Sequence, residues 1–223
     1  MSHPYDHRVT DPLASLQRYY RFHARLYDAT RWLFLFGRHA LVRAIAEQHS
    51  ARRILEVGCG TGKNLLALSR AFPEAHCVGL DISEAMLTRA RKKLEHQSGR
   101  ITLLNQAYDQ PLCGSEAPSF DLVVFSYAWS MMNPGWEQAI VNAVHDLRPG
   151  GLLAVVDFNA TNHSAFQRWM AFNHVRMEAH LSPRLTANLD THSSVADSAG
   201  LQRLVDGFAV YRGKTRLFSR LTR

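Results

Sequence analysis

Lysine is scarce in this chain, supplying only 4 of its 26 basic residues, with arginine the rest. Cysteine is scarcer: Cys59, Cys77 and Cys113 make an odd number, with no Cys-x-x-Cys pair and no Cys/His ligand spacing. Dispersed, unpaired thiols argue against a disulfide framework and for a reduced, cytoplasmic setting. Long apolar runs are also missing. No run is longer than the five residues of Trp32-Leu33-Phe34-Leu35-Phe36, where a membrane span needs about 20. The first twelve residues mix Asp6 and Asp11 with Pro4 and Pro12 and lack an apolar stretch, so no secretory signal is expected. Histidine is plentiful at twelve, but His174 and His180 stand six apart and miss the i, i+4 spacing of a helical metal site, so no metal is expected.

What is present is enough apolar material for a core. Of 223 residues 46% are hydrophobic and 20% charged, which excludes a disordered polycation. The formal net charge is +7, from 26 basic and 19 acidic side chains, and it is unevenly placed. Residues 1–50 carry a net +3, residues 203–223 a net +5, and the centre, 51–202, a net −1.

From 51 onward short apolar runs alternate with amphipathic stretches. Strands are expected at Arg53–Val57, 76–81, 100–105, 121–125 and 152–157. Helices are expected at Gly62–Ala71, at 83–97 with Ser83 as N-cap, and at 134–147, with Pro149-Gly150-Gly151 turning into the fifth strand. This alternation predicts a parallel sheet covered on both faces. A helical stretch at 164–180 and strands at 203–211 and 214–221 follow, with Arg212-Gly213 short enough for a hairpin and an antiparallel last strand. Upstream of 51 two helices are expected, the second at 31–48. In the first, Arg18, Arg21 and Arg25 gather on one side, and Leu13, Leu16, Tyr19, Tyr20, Leu26 and Tyr27 on the other.

The strongest motif is Glu56-Val57-Gly58-Cys59-Gly60-Thr61-Gly62, where a buried strand gives way to a helix. Alternate glycines let a ligand approach backbone at the carboxyl edge of a sheet. Lys63 stands where a dinucleotide fingerprint needs its third glycine, and Val57 and Asn64 break a P-loop. Glu56 would repel pyrophosphate and suits a cationic ligand or one with an amino group. Asp81 ends the second strand, 21 residues after Gly60, where a carboxylate can accept both hydroxyls of a ribose.

Taken in order, E-V-G-C-G-T-G, V-G-L-D-I-S, D-L-V-V-F-S-Y and L-R-P-G-G-L-L resemble the class I S-adenosylmethionine-dependent methyltransferases over about 51–157. The resemblance implies an α/β fold with a Rossmann-like sheet of seven strands, the last antiparallel. It places a methyltransferase domain at 51–223 behind an N-terminal helical cap or lid at 1–50. It implies S-adenosylmethionine as cofactor: Glu56, Gly58, Cys59 and Gly60 around its methionine part, Asp81 at the ribose, Ile82 and Met86 against the adenine. Gln106, beside Ala107, stands where the family often has an acid reading the adenine amino group; its carbonyl can still accept that bond.

The acceptor should approach where the fourth strand ends, at Phe125-Ser126-Tyr127-Ala128-Trp129. A nucleic-acid amino methyltransferase would carry an N/D-P-P-F/Y motif there, and its absence counts against nucleic acid despite the basic balance. Tyr127 either orients an amine or is a core aromatic. The segment Arg18-Tyr19-Tyr20-Arg21-Phe22-His23-Ala24-Arg25-Leu26-Tyr27-Asp28-Ala29-Thr30-Arg31, with Phe36-Gly37-Arg38, resembles the bacterial phospholipid and betaine-lipid N-methyltransferases, above all those that trimethylate diacylglycerylhomoserine. That resemblance implies a lipid substrate at an anionic membrane surface and a peripheral position on the inner face of the cell membrane. It gives Tyr27 a lid role and Arg38 the cofactor's carboxylate, against a packing tyrosine and a solvated arginine. It gives Tyr19 and Arg176 the substrate, with Tyr127 and His174 as candidate bases and Ser126 at the cofactor. A helix with an arginine edge can lie in such an interface or dock on its own domain with its arginines in water. Two other functions fit the same motifs: a small-molecule N- or O-methyltransferase away from membranes, and a silent cofactor- and anion-binding module.

Overall fold

The computed structural model describes residues 37–132, 135–160, 168, 191–193 and 212–219. The elements in chain order are α1 (Gly37–Gln48), β1 (Arg53–Val57), α2 (Lys63–Ala71), β2 (His76–Asp81) and α3 (Glu84–Leu94), followed by a 3-10 turn at Glu95–Arg100. Then come β3 (Ile101–Asn105), β4 (Phe120–Ser126), a short 3-10 turn at Trp129–Met131, α4 (Trp136–Asp146), β5 (Leu147–Ala160), β6 (Thr191–Ser193) and β7 (Arg212–Ser219).

Strands β1 to β5 are parallel, and the sheet order is β3-β2-β1-β4-β5-β7-β6. The chain builds outward from β1 to β3, then returns to place β4 on the other side of β1. That reversal opens a crevice at the carboxyl ends of β1 and β4, where sheets of this kind bind ligands. β7 runs antiparallel to β5, and β6 pairs antiparallel with β7.

Alternation along each strand divides the core. Ile54, Cys77, Leu122, Val124, Leu152 and Ala154 face one side, with Leu41 and Ile45 of α1 and Leu65 and Leu68 of α2. Leu55, Val57, Leu80, Val123, Phe125 and Val155 face the other, with Trp136, Ala139 and Ala143 of α4. Both faces are apolar because helices cover both, as in parallel sheets generally. α2 forms because Leu65 and Leu68, one turn apart, meet this core, and it ends at Phe72 because Pro73 cannot continue it.

Several expected features differ. Of the helix expected at 31–48, the described part begins at Gly37, and Leu41 and Ile45 are fully buried in the sheet's own core. Ser83 does occupy the N-cap of α3, but its side chain makes no capping bond; its backbone N–H goes instead to Asp81. Pro149-Gly150-Gly151 does not precede the fifth strand but lies inside it. The register there slips between Phe120 and Leu122, and Gly150 takes a left-handed φ of +76° that absorbs the extra residues. Arg212 and Gly213 belong to β7, pairing with Ala160 and Phe158, and so form no hairpin link. The first upstream helix, the helix expected at 164–180 and the strand expected at 203–211 lie outside the described residues, Arg168 apart. No helix among the described residues is long and apolar enough to cross a membrane.

Candidate functional site

The glycine loop is held from below by β2. The N–H groups of Gly58 and Cys59 both donate to the Leu80 carbonyl, at 2.8 and 3.0 Å. Gly58 has a φ of +72°, and a Cβ on it would lie 2.9 Å from the Ala128 Cβ, so glycine here lets the loop and the end of β4 touch. Gly60 differs. Its φ is +54°, yet a Cβ there would meet no atom of the described residues within 4 Å. The space beside Gly60 is a cradle that a side chain would fill.

Asp81 closes the other wall. Its Oδ2 accepts the Gly60 N–H at 2.8 Å and its Oδ1 the Ser83 N–H at 2.9 Å, while Asn105 Nδ2 donates to its backbone carbonyl at 3.0 Å. One N–H per oxygen orients the carboxylate and leaves lone pairs for a further donor. Burial raises its pKa, and the bonds from Ser83 and Gly60 oppose that rise.

Glu56 lies at the bottom of the crevice and is 2% exposed. Asn64, in the first turn of α2, donates from Nδ2 to Glu56 Oε1 at 3.0 Å; Oε2 has no partner among the described residues. Burial pushes the Glu56 pKa up to about 7, against lowering influences from Asn64 and then from the Arg38 charge. Arg38, entering from α1, has its guanidinium carbon 6.0 Å from the centroid of the Tyr127 ring, and its buried Nε lacks a partner. Ser126, last residue of β4, is buried with its hydroxyl unpartnered. Tyr127 itself takes a φ of +56°, rare for a residue with a side chain. Its N–H donates to the Val156 carbonyl at 2.7 Å, so the turn is fastened to β5.

These side chains fit a nucleoside ligand that carries an ammonium group: a half-buried carboxylate for hydroxyls, a glycine cradle, and a buried carboxyl with a free oxygen. Residues 54–151 match the family described as methyltransferase domain. Over that stretch the chain is similar to methyltransferase domains. It is 33% identical over 138 residues to a ubiquinone/menaquinone biosynthesis C-methyltransferase of Syntrophotalea carbinolica, a match covering 60% of this chain and 56% of that one. It is 32% identical over 114 residues to a trans-aconitate 2-methyltransferase of Deinococcus radiodurans, covering 51% of this chain and 41% of the relative. The chain thus spans about half the length of these curated relatives. In fold it is similar to the 1,6-didemethyltoxoflavin-N1-methyltransferase of Burkholderia thailandensis, solved with S-adenosylhomocysteine. The TM-score is 0.67 at 14% identity, over 98% of this chain and 94% of that one.

The expected site residues separate into groups. Glu56, Gly58, Cys59, Gly60, Asp81 and Ile82 share the loop, the end of β2 and the residue that follows it, with Arg38 and Ser126 alongside. Met86 is buried on α3, while Gln106 is exposed beyond β3 beside a partly buried Ala107. Cys59 is buried, and burial, then Glu56 and Asp81, raise its pKa well above the usual thiol range, so its thiol stays protonated. Tyr127 is 3% exposed within the core and lies against Arg38, which leaves that side of the ring less open to a substrate ammonium. Tyr19, Tyr27, His174 and Arg176 lie outside the described residues. Sequence reasoning missed Asn64 and Asn105. The available signal was a polar residue at an otherwise apolar helix position, and another at a strand tip beside Asp81.

Proposed function

We propose that this protein transfers methyl groups from S-adenosylmethionine to the headgroup amine of a membrane lipid, converting diacylglycerylhomoserine to its trimethylated betaine. The observation that carries methyl transfer is the carboxylate of Asp81, oriented by Gly60 and Ser83 beside a cradle, together with the buried carboxyl of Glu56. Asp81 would hold the ribose hydroxyls, Glu56 the ammonium group and Arg38 the carboxylate. Bound there, the cofactor supplies an electrophilic methyl on a sulfonium. The protein's contribution is alignment of the two reactants.

Support for a lipid amine is the aromatic and arginine-rich segment from Arg18 to Arg38. Its one described end, Gly37-Arg38, leads into the helix that puts Arg38 over Tyr127. In this reading the expected cap of residues 1–50, whose part before Gly37 lies outside the described residues, serves as a lid, with Tyr27 assigned to the cofactor and Tyr19 and Arg176 to the headgroup. The basic ends meet an anionic bilayer from the cytoplasmic side, each side chain contributing about 1 kcal/mol at low salt. The amine must lose a proton before attack, with Tyr127 or His174 the candidates to take it, so turnover should rise with pH toward the amine's pKa.

A second reading, methylation of a small carboxylate, is favoured by the trans-aconitate methyltransferases among the relatives. Radiolabelled S-adenosylmethionine offered to total lipid, RNA and small-metabolite fractions separates them. Label in a lipid with a quaternary amine supports the first reading; label confined to the metabolites, or no transfer at all, overturns it.

A further inference from the structure

The polar atoms left without partners in the buried interior are not scattered. Of the six among the described residues, four belong to Arg38, Glu56, Asn64 and Ser126. Strand alternation puts Glu56 and Ser126 on the side of the sheet covered by α1 and α2, the helices that carry Arg38 and Asn64. Asn64 is the member to which the cofactor reading gives no role. It is 4% exposed at a helix position where an apolar residue would pack without cost, and it spends one amide hydrogen on Glu56 while its Oδ1 stays unpartnered. Hydrogen-bonded to each other, Asn64 and Glu56 each keep one unpartnered buried oxygen, and with Glu56 ionised both oxygens are acceptors only. Such a pair costs stability unless a donor-rich group arrives.

We propose that Asn64 both orients Glu56 for the cofactor's α-ammonium group and helps bind it: holding Oε1 of Glu56, it leaves Oε2 and its own Oδ1 as acceptors for that cation. This rests on the cofactor reading above and adds a proton to it. Asn64 is the strongest influence keeping the buried Glu56 ionisable, ahead of Arg38 from α1; Asp81 from β2 acts the other way. The other titratable groups around Glu56 are the Cys59 and Cys77 thiols, neutral because burial and Glu56 itself hold their protons. Ammonium arrival therefore expels a proton from Glu56 to solvent, and Asn64 sets the pH at which it does so.

The test is calorimetric titration with S-adenosylhomocysteine from pH 6 to 8.5, in two buffers of different ionisation enthalpy. In the unaltered protein, affinity rises with pH up to about 7, and binding below that pH releases a proton. Glu56→Gln abolishes the release. Asn64→Ala moves the midpoint up by about one pH unit, the scale of losing a hydrogen bond to a charged group. Its affinity is down at least roughly fivefold at pH 7, and the part of that deficit due to protonated Glu56 is recovered by pH 8.5, leaving only the part due to the lost Asn64 Oδ1. A deficit that persists unchanged at pH 8.5, or an unmoved midpoint, overturns the proposal and leaves Asn64 a packing residue. If Asn64→Ala does not fold, Asn64→Ser is titrated in its place, and the Glu56 carboxyl of the unaltered protein is followed by carbon NMR. A carboxyl pKa that does not drop when S-adenosylhomocysteine binds also overturns it. Failure of the unaltered protein to bind at any pH overturns the cofactor reading itself, before any variant is compared.

Discussion

At the scale of single residues, the loop glycines can be told apart by what surrounds them. Gly58→Ala forces a Cβ to within 2.9 Å of the Ala128 Cβ at a positive φ, and should cost about 2–4 kcal/mol in denaturant unfolding. Adding Ala128→Gly should return the steric part and leave the backbone part, which a double-mutant cycle reads directly. Gly60→Ala meets no clash, so it should cost only about 1 kcal/mol for its positive φ while weakening cofactor binding much more. Calorimetric affinity set beside unfolding midpoints separates the two effects. Asp81→Ala removes the acceptor for the Gly60 and Ser83 N–H groups, and binding of S-adenosylhomocysteine should fall below detection. Normal binding by that variant would sink the ribose assignment.

At the scale of elements, two attachments outside the pocket hold its walls. Leu41 of α1 is fully buried against the sheet; Leu41→Ala should cost about 2–5 kcal/mol and loosen the helix that carries Arg38. The segment after β3 is pinned by Asp146 at the end of α4. That carboxylate accepts from Tyr108 Oη at 2.8 Å, the Leu112 N–H at 2.8 Å and the Cys113 N–H at 2.9 Å. Asn142 adds a bond from Nδ2 to the Tyr108 carbonyl at 2.9 Å. Asp146→Ala strands those donors and should cost about 2–4 kcal/mol, with the first proteolytic cuts in 108–113.

At the scale of the whole molecule, pH couples folding to the pocket. Glu56, with an ordinary value of 4.5, has its pKa raised to about 7 in the folded protein, so the folded state holds a proton that the unfolded chain has released. Its contribution to stability is present below about pH 4.5 and is lost as pH rises to about 7 and beyond. Glu56→Gln should flatten that part of the stability profile. A cation beside Glu56 offsets the loss, so the thermal shift produced by S-adenosylhomocysteine should grow between pH 6 and 7. The sequence by itself determined the sheet's strands to within a few residues over 53–126, along with the glycine loop and the carboxylate at the tip of β2. Each is a local pattern, an apolar run or a spacing, and local patterns survive without a partner. It misplaced the Pro149-Gly150-Gly151 turn and the Arg212-Gly213 link, because only pairing with β4 and β5 decides whether such residues bend the chain or are absorbed into a strand. Arg38, Asn64 and Ser126 come to Glu56 from separate elements. Their grouping is the work of helices docked on one face of the sheet, and no spacing along the chain encodes it.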